Sequence, residues 1–181
     1  MLPSYRPQTT TRREQPMSHR LAVGSTVVLV LLASSAVFAD FAQNVSDSLG
    51  FVLGAYAVKA SQGDREDRQE SKQLTSALLA TAAVTQGLKE VVHSERPVGS
   101  GDDSFPSMHV SLASAWATVA GNHHPKQRWV FDAYAGAMAW SRVDLDRHRQ
   151  RDVLAGALIG AAIGKHYSAQ HGGYVLGKMS W

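Results

Sequence analysis

The sequence predicts an all-α fold, a helical bundle formed by the residues from position 40 onward. Between residues 74 and 92, mostly apolar side chains recur every three or four positions, which would place them on one side of a helix. No stretch alternates apolar and polar residues over the length of a strand, so β-structure is not predicted. Hydrophobic residues make up 44% of the chain and charged residues 18%, a balance typical of a globular domain rather than a disordered one.

Pro, Gly and clustered polar residues divide the chain into helices and connections. A short apolar stretch over residues 48–59 precedes a charge-dense segment, residues 61–72, which we interpret as a linker. The helices predicted after this linker cover residues 74–92, 107–120, 129–142 and 152–167. The break between the second and third of these contains His123 and His124. We expect both at the surface, because neighbouring positions do not face one ligand.

Three glycines, Gly156, Gly160 and Gly164, recur at every fourth residue of the last predicted helix. They form one stripe along that helix, where the missing side chains let another backbone approach closely. The uncharged stretch around them, residues 153–164, is much shorter than the roughly 20 apolar residues that a membrane-spanning helix needs. We therefore interpret it as a helix buried in the core.

The first 39 residues are predicted to direct export from the cytoplasm. Arg12, Arg13 and Arg20 precede an uncharged apolar stretch, and Val37 and Ala39 occupy the small-residue positions that a signal peptidase accepts. Residues 1–39 are therefore a cleaved signal peptide or, alternatively, an uncleaved N-terminal anchor of about the length that crosses a bilayer. Both interpretations place the functional domain, residues 40–181, in the periplasm or on the periplasmic side of an inner membrane.

Charge and cysteine content exclude several classes of function. The formal charge of +3 arises before residue 40, where four of the 18 basic residues but only one of the 15 acidic residues lie. The remaining domain is neutral and has no broad basic field that would bind nucleic acid. The chain contains no cysteine, which excludes disulfides, thiolate metal sites and catalysis by a cysteine nucleophile.

Two short segments combine cationic and imidazole side chains near predicted helix ends. In the first, Lys89 and Arg96 are seven residues apart, about two helical turns, so both are expected to project from one helix face toward one ligand. In the second, residues 104–109, a turn leads into a helix that Ser107 is predicted to cap. The free N–H groups of such a helix end are suited to hold an anion.

A third segment places His148 four residues before Asp152. If a helix begins near His148, the carboxylate lies beside the imidazole. Such a carboxylate fixes the tautomer and makes the other ring nitrogen a better nucleophile. Arg142, at the start of the segment, has the planar fork that binds two phosphate oxygens at once. The sequence offers no competing metal site.

The three segments read Lys-x6-Arg-Pro, Pro-Ser-x-His and Ser-Arg-x5-His-x3-Asp, in that order. This combination resembles the type 2 phosphatidic acid phosphatase superfamily, which also contains bacterial class A acid phosphatases and vanadium haloperoxidases. The resemblance covers residues 89–152 and the flanking helices. It implies a helical bundle in which the three motifs converge on one phosphate pocket.

The resemblance further implies a metal-independent phosphatase that works without a cofactor through a phosphohistidine. By motif position, His148 would be the nucleophile, Asp152 its orienting partner and His109 the general acid. The phosphate oxygens would be bound by Lys89, Arg96, Ser107, Arg142 and the backbone of Met108. The family usually has Gly where Met108 stands. The backbone N–H remains, and the thioether favours an apolar leaving group.

Alternatives remain for both function and substrate. A vanadate-dependent haloperoxidase would use the same pocket but is generally a much longer chain. A protein that only binds lipid phosphates would not need a poised nucleophile. The expected substrate is a soluble or interfacial phosphomonoester, with a phosphatidate or a prenyl pyrophosphate as the alternative. The expected partners are thus phosphorylated small molecules or lipid phosphates, with association at a membrane surface and without nucleic acid. The sequence does not predict an oligomeric state.

Overall fold

The computed structural model describes residues 40–99 and 101–169, so the export signal or anchor predicted for residues 1–39 lies outside the described residues. Residues 40–47 are helical. The helices that follow are α1 (Leu49–Gln62), α2 (Arg65–Val92), α3 (Met108–His123), α4 (Arg128–Asp144) and α5 (Gln150–Ser168), with a 3-10 turn at Pro125–Gln127. Within these ranges, β-structure is limited to one isolated bridge between Ser94 and Asp103. The predicted all-α fold is confirmed.

The linker predicted for residues 61–72 is wrong, because most of this segment forms the first turns of α2. The Asp64 carboxylate accepts hydrogen bonds from two backbone N–H groups of the first turn, and the Asp67 carboxylate accepts one from the Asp64 N–H at 3.1 Å. This reciprocal cap starts a helix even where the first turns are charged. Glu70 is 2% exposed and accepts a hydrogen bond from Tyr56 of α1 at 2.5 Å, so tertiary contacts also hold the segment helical.

The structure differs from the surface position expected for His123 and His124. Both side chains are half-buried against α2. The Nε2 atom of His123 lies 2.6 Å from Gln73 Oε1, and that of His124 lies 3.1 Å from Glu70 Oε2. The two histidines therefore fix the junction between α3 and α4 to the first half of α2.

Helix α3 is at the centre of the bundle, because α2, α4 and α5 all pack against it. Its Trp116 is 5% exposed and meets Tyr56, Phe131 and Tyr134 edge-on, at ring-centroid distances of 5.2 to 5.6 Å. Each such aromatic pair contributes roughly 0.5–1.5 kcal/mol beyond the burial of its area. A second buried cluster lies between the start of α1 and helices α3, α4 and α5 and consists of Leu49, Val110, Ala113, Met138 and Val153.

The glycine stripe of α5 faces α3, as predicted. A Cβ atom added at Gly156 would lie 2.7 Å from the Ser107 carbonyl oxygen, and one added at Gly164 would lie 2.8 Å from that of Ala115. These pairs advance in the same direction along both helices, so α3 and α5 run parallel and their first turns are neighbours. Among the described residues, no helix is both long and apolar enough to span a membrane.

Candidate active site

The candidate site lies where four helix ends meet. Because α3 and α5 run parallel, their N-terminal ends are adjacent, and the Ser107 N–H donates to the Asp152 carbonyl at 3.0 Å. The C-terminal end of α4 joins them, since the His148 N–H donates to the Arg142 carbonyl at 3.0 Å. Lys89, near the C-terminal end of α2, donates to the Asp103 carbonyl just before α3. The three motifs that are separate in sequence therefore converge on one region.

Asp103 holds the two cations of the first motif in place. Its carboxylate accepts from Arg96 Nε at 2.8 Å and from Arg96 Nη2 at 3.0 Å, a two-point ion pair. Arg96 holds the pKa of the Asp103 carboxyl at about 2. The expectation that Lys89 and Arg96 share one helix face is wrong. Helix α2 ends at Val92, because the next residue has a left-handed backbone, and Arg96 returns to the site from the loop.

Arg142 is the third cation and is 8% exposed at the end of α4. Its Nη1 donates to Ser46 Oγ at 2.6 Å. Burial, together with the positive charges of Arg96 and Arg147, lowers the pKa of Arg142 to about 10. In the described part of the chain its buried Nε has no hydrogen-bond partner. A buried guanidinium with an unused donor is suited to bind an anion.

The start of α3 supplies neutral donors. Ser107 is fully buried, and its Oγ has no hydrogen-bond partner among the described residues. The first N–H of this helix with an intrahelical acceptor is that of Ser111, which donates to the Ser107 carbonyl at 2.9 Å. The N–H groups of Met108 and His109 precede it and have no acceptor within the helix. Together with the Ser107 hydroxyl they form the anion cradle that the sequence predicted.

His148 is 3% exposed and is held through the main chain of Ser104. Its Nδ1 lies 2.8 Å from the Ser104 carbonyl oxygen. The Ser104 hydroxyl donates to Asp152 Oδ2 at 2.6 Å, and this carboxylate oxygen also accepts from the Arg149 N–H at 2.9 Å. The direct imidazole–carboxylate contact expected from the four-residue spacing is thus replaced by a relay through Ser104, because α5 starts at Gln150, after His148.

This geometry determines the tautomer of His148. A carbonyl oxygen only accepts hydrogen bonds, so Nδ1 must carry the proton, and Nε2 of the neutral ring keeps its lone pair. Burial, together with the positive charge of Arg142, lowers the pKa of His148 to about 4. His148 is therefore neutral at pH 7, which is the state that a nitrogen nucleophile requires.

His109 lies in an electrostatic environment similar to that of His148. Burial, together with the positive charges of Arg142, Arg96 and Lys89, lowers its pKa to about 4 against the opposing effect of Asp47. The same three cations act on His148. The positive charges of the three cations disfavour protonation of both imidazoles. A bound anion offsets this repulsion and stabilises the positively charged side chains together. Among the described residues, no group of three or more His, Asp or Glu side chains is placed to hold a metal ion.

Three positioning residues are not predicted by the sequence analysis: Ser46, Asp103 and Ser104. Asp103 directly precedes the second segment and Ser104 is its first residue, and Asp and Ser close to a Pro are typical of a structured turn. Ser46 is 96 residues from its partner Arg142, and no local pattern announces a contact at that separation. All three hold a charged or nucleophilic side chain rather than face a ligand themselves.

The sequence matches the PAP2 superfamily over residues 71–174, which is more than half of the chain and includes all three motifs. The chain therefore belongs to the PAP2 superfamily, and this membership supports phosphatase activity at the level of the family. Its fold is similar to that of the crystal structure of Aquifex aeolicus LpxE, with a TM-score of 0.62 and 24% sequence identity. That similarity covers 75% of this chain and 85% of LpxE. No curated protein matches the sequence.

Proposed function

We propose that this chain is a metal-independent phosphatase that hydrolyses a phosphorylated lipid through a phosphohistidine on His148. The observation that carries the proposal is the hydrogen bond from His148 Nδ1 to the Ser104 carbonyl, 2.8 Å long. It leaves Nε2 unprotonated in a pocket that three cations border. Membership of the PAP2 superfamily supports a lipid phosphate as the class of substrate.

In the first step of the proposed reaction, His148 Nε2 attacks phosphorus and forms an N–P bond while the ester O–P bond breaks. The departing alkoxide takes its proton from His109. In the second step a water molecule gives a proton to His109 and forms an O–P bond as the N–P bond breaks. Inorganic phosphate leaves, and both histidines return to their starting protonation states. Asp152 acts indirectly: it accepts a hydrogen bond from the Ser104 hydroxyl, and the Ser104 carbonyl in turn holds the ring of His148.

The charge of the transferred phosphoryl group is balanced by Lys89, Arg96 and Arg142 in this proposal. Ser107 Oγ and the N–H groups at the start of α3 bind the remaining oxygens. In phosphoryl transfer such preorganised donors supply most of the rate enhancement, because the reacting group carries dispersed negative charge. A bound phosphate also offsets the repulsion that lowers the pKa of His109, which enables that ring to hold the proton it donates.

The predicted export signal or anchor places this reaction outside the cytoplasm in our proposal. A periplasmic domain, or one tethered to the inner membrane and facing the periplasm, would meet lipid phosphates at the membrane surface. An epitope-tagged chain fractionated from spheroplasts tests this location. Recovery of the chain in the cytoplasmic fraction would contradict it.

The activity is tested on the full-length chain in detergent with EDTA present, using a short-chain phosphatidate and p-nitrophenyl phosphate. His148→Asn should lower kcat at least about 1,000-fold, since loss of a nucleophile is among the largest single effects in an enzyme. The matched control is His166→Asn. His166 is exposed near the C-terminal end of α5, about 24 Å along the helix from Gln150. EDTA-sensitive turnover, or His148→Asn activity within tenfold of the parent, would refute the proposal.

A further inference from the structure

A cleft of about 420 Å³ opens beside the candidate active site, on the side of His148 where Ser104 lies. Its volume is in the range of sites that bind small molecules. None of the residues assigned to phosphate binding lines it. The lining residues come from the end of α2, the turn before α3 and the start of α5, and are Val92, His93, Ser94, Glu95, Phe105, Arg149 and Arg151.

One side of the cleft is cationic and held in position. Arg151 Nη2 donates to Ser94 Oγ at 3.3 Å, and Arg151 Nε lies 3.5 Å from Asp152 Oδ1. The hydrogen bond to Ser94 uses one of the five N–H donors of the guanidinium, and the contact with Asp152 is an ion pair, so the rest of the fork is available to a ligand. Arg149 is exposed at the same side. Two guanidinium groups in one cleft match the oxygens of a phosphate group.

The rest of the cleft indicates more than a free anion. Val92 and Phe105 give it an apolar wall. Val92 is 44% exposed, and Leu154 on α5 is 64% exposed. Leu154 lies three residues after Arg151 and therefore on the same face of α5. A ligand held by its phosphate at the two arginines would thus have apolar surface beside it.

Glu95 is the acidic member of the cleft and faces the same space. A carboxylate repels a bare phosphate ion, but it accepts hydrogen bonds from hydroxyl groups. The combination of two arginines, one carboxylate and an apolar wall therefore favours a headgroup that carries both a phosphate and hydroxyls, attached to an apolar chain.

We propose that this cleft is a second binding site, distinct from the catalytic pocket, for an anionic phospholipid whose headgroup carries hydroxyls. The phosphate of the lipid lies between Arg149 and Arg151, its hydroxyls face Glu95, and its acyl chain follows Val92 and Leu154. Lipid binding at this site does not require turnover, so it can be tested independently of the phosphatase activity. It would hold the active site beside an anionic lipid that is not itself hydrolysed.

The test is calorimetric titration of the full-length chain in zwitterionic micelles, with the heat of mixing lipid and micelles subtracted. The probes are dihexanoyl phosphatidylglycerol, dihexanoyl phosphatidylcholine and inorganic phosphate. Phosphatidylglycerol is a phosphodiester with free hydroxyls and a net charge, whereas phosphatidylcholine has the same chains without either. We expect phosphatidylglycerol to bind at least about tenfold more tightly than phosphatidylcholine, because its hydroxyls can donate to Glu95, whereas the choline cation is repelled by the two arginines.

Variants separate this site from other surfaces. Arg151→Gln and Arg149→Gln should each weaken phosphatidylglycerol binding about tenfold. Arg68→Gln is the matched control, because Arg68 is exposed on α2 roughly 36 Å along the helix from Val92. Arg142→Gln, which alters the catalytic pocket, should leave phosphatidylglycerol affinity within about twofold. Circular dichroism melts establish that each variant is folded.

Three results would overturn the proposal. Equal affinity for phosphatidylglycerol and phosphatidylcholine would show that the site recognises neither the net charge nor the hydroxyls of the headgroup. Inorganic phosphate binding that is as tight as phosphatidylglycerol binding, and is lost in Arg151→Gln, would show a site for free anions instead. An Arg142→Gln variant that loses phosphatidylglycerol binding while folded Arg151→Gln retains it would place the lipid in the catalytic pocket.

Discussion

Ser104→Ala tests the relay that positions the nucleophile, because it removes one hydroxyl and leaves the main chain that His148 contacts. The lost hydrogen bond joins Ser104 Oγ to Asp152 Oδ2 at 2.6 Å, and both residues are fully buried. A hydrogen bond to a buried charged group is worth about 1.5–3 kcal/mol. If the relay acts in the transition state, this corresponds to a decrease in kcat of roughly 10- to 150-fold.

The assay is steady-state phosphate release, with kcat and KM determined separately. Ser104 touches no substrate in our account, so KM should change less than about threefold while kcat falls. Ser111→Ala is the control, since Ser111 is equally buried but its hydroxyl donates to a carbonyl of its own helix, that of Ser107, at 2.9 Å. A Ser104→Ala enzyme with kcat within threefold of the parent, or with the loss confined to KM, would refute the relay.

Three further predictions follow from the same structure. Because the pKa values of His109 and His148 are both about 4, kcat/KM should be highest in the acid range and fall about tenfold per pH unit above it, as His109 loses its proton. A kcat/KM that is constant between about pH 5 and about pH 8 would contradict this. Arg142→Lys should raise KM about tenfold, because an ammonium keeps the charge but cannot bind two phosphate oxygens at once as the guanidinium does. An unchanged KM would show that Arg142 does not bind the phosphate at two points. Gly160→Ala should lower the free energy of unfolding by several kcal/mol, measured by denaturant titration, because its Cβ would overlap the Ser111 carbonyl. Gly136→Ala is the control, with nothing within 4 Å of the added Cβ, and should raise stability by about 0.4–1 kcal/mol. Equal effects of the two substitutions would contradict the close packing of α3 and α5.

Much of the fold follows from patterns that are local in sequence. The spacing of Gly156, Gly160 and Gly164 predicted a close helix contact, and the structure provides it against α3. The start of α2 was not predicted, because its first turns are charged and resemble a linker. A reciprocal cap at Asp64 and the burial of Glu70 against α1 override that composition. Capping can be read from sequence, but the burial of one carboxylate depends on the tertiary fold.

The members of the candidate site were predictable, but several of their contacts were not. The motif residues meet because four helix ends lie together, which the order of the helices allows but does not require. The spacing of His148 and Asp152 predicted a direct contact. Because α5 begins after His148, this direct contact does not form, and Ser104 connects the imidazole to the carboxylate instead. The contact between Arg142 and Ser46 depends on how the segment before α1 packs, which no motif encodes.

The most direct test of the central claim is to trap the phosphorylated enzyme. The full-length chain is mixed with a phosphorylated substrate, denatured in alkali within milliseconds and digested, and the peptides are examined by mass spectrometry under conditions that preserve N–P bonds. The account predicts a phosphoryl group on His148 that is labile to acid and is not formed in His148→Asn. A phosphoryl group on another residue, or rapid turnover with no phosphorylated peptide while a known phosphohistidine enzyme is trapped in parallel, would contradict it.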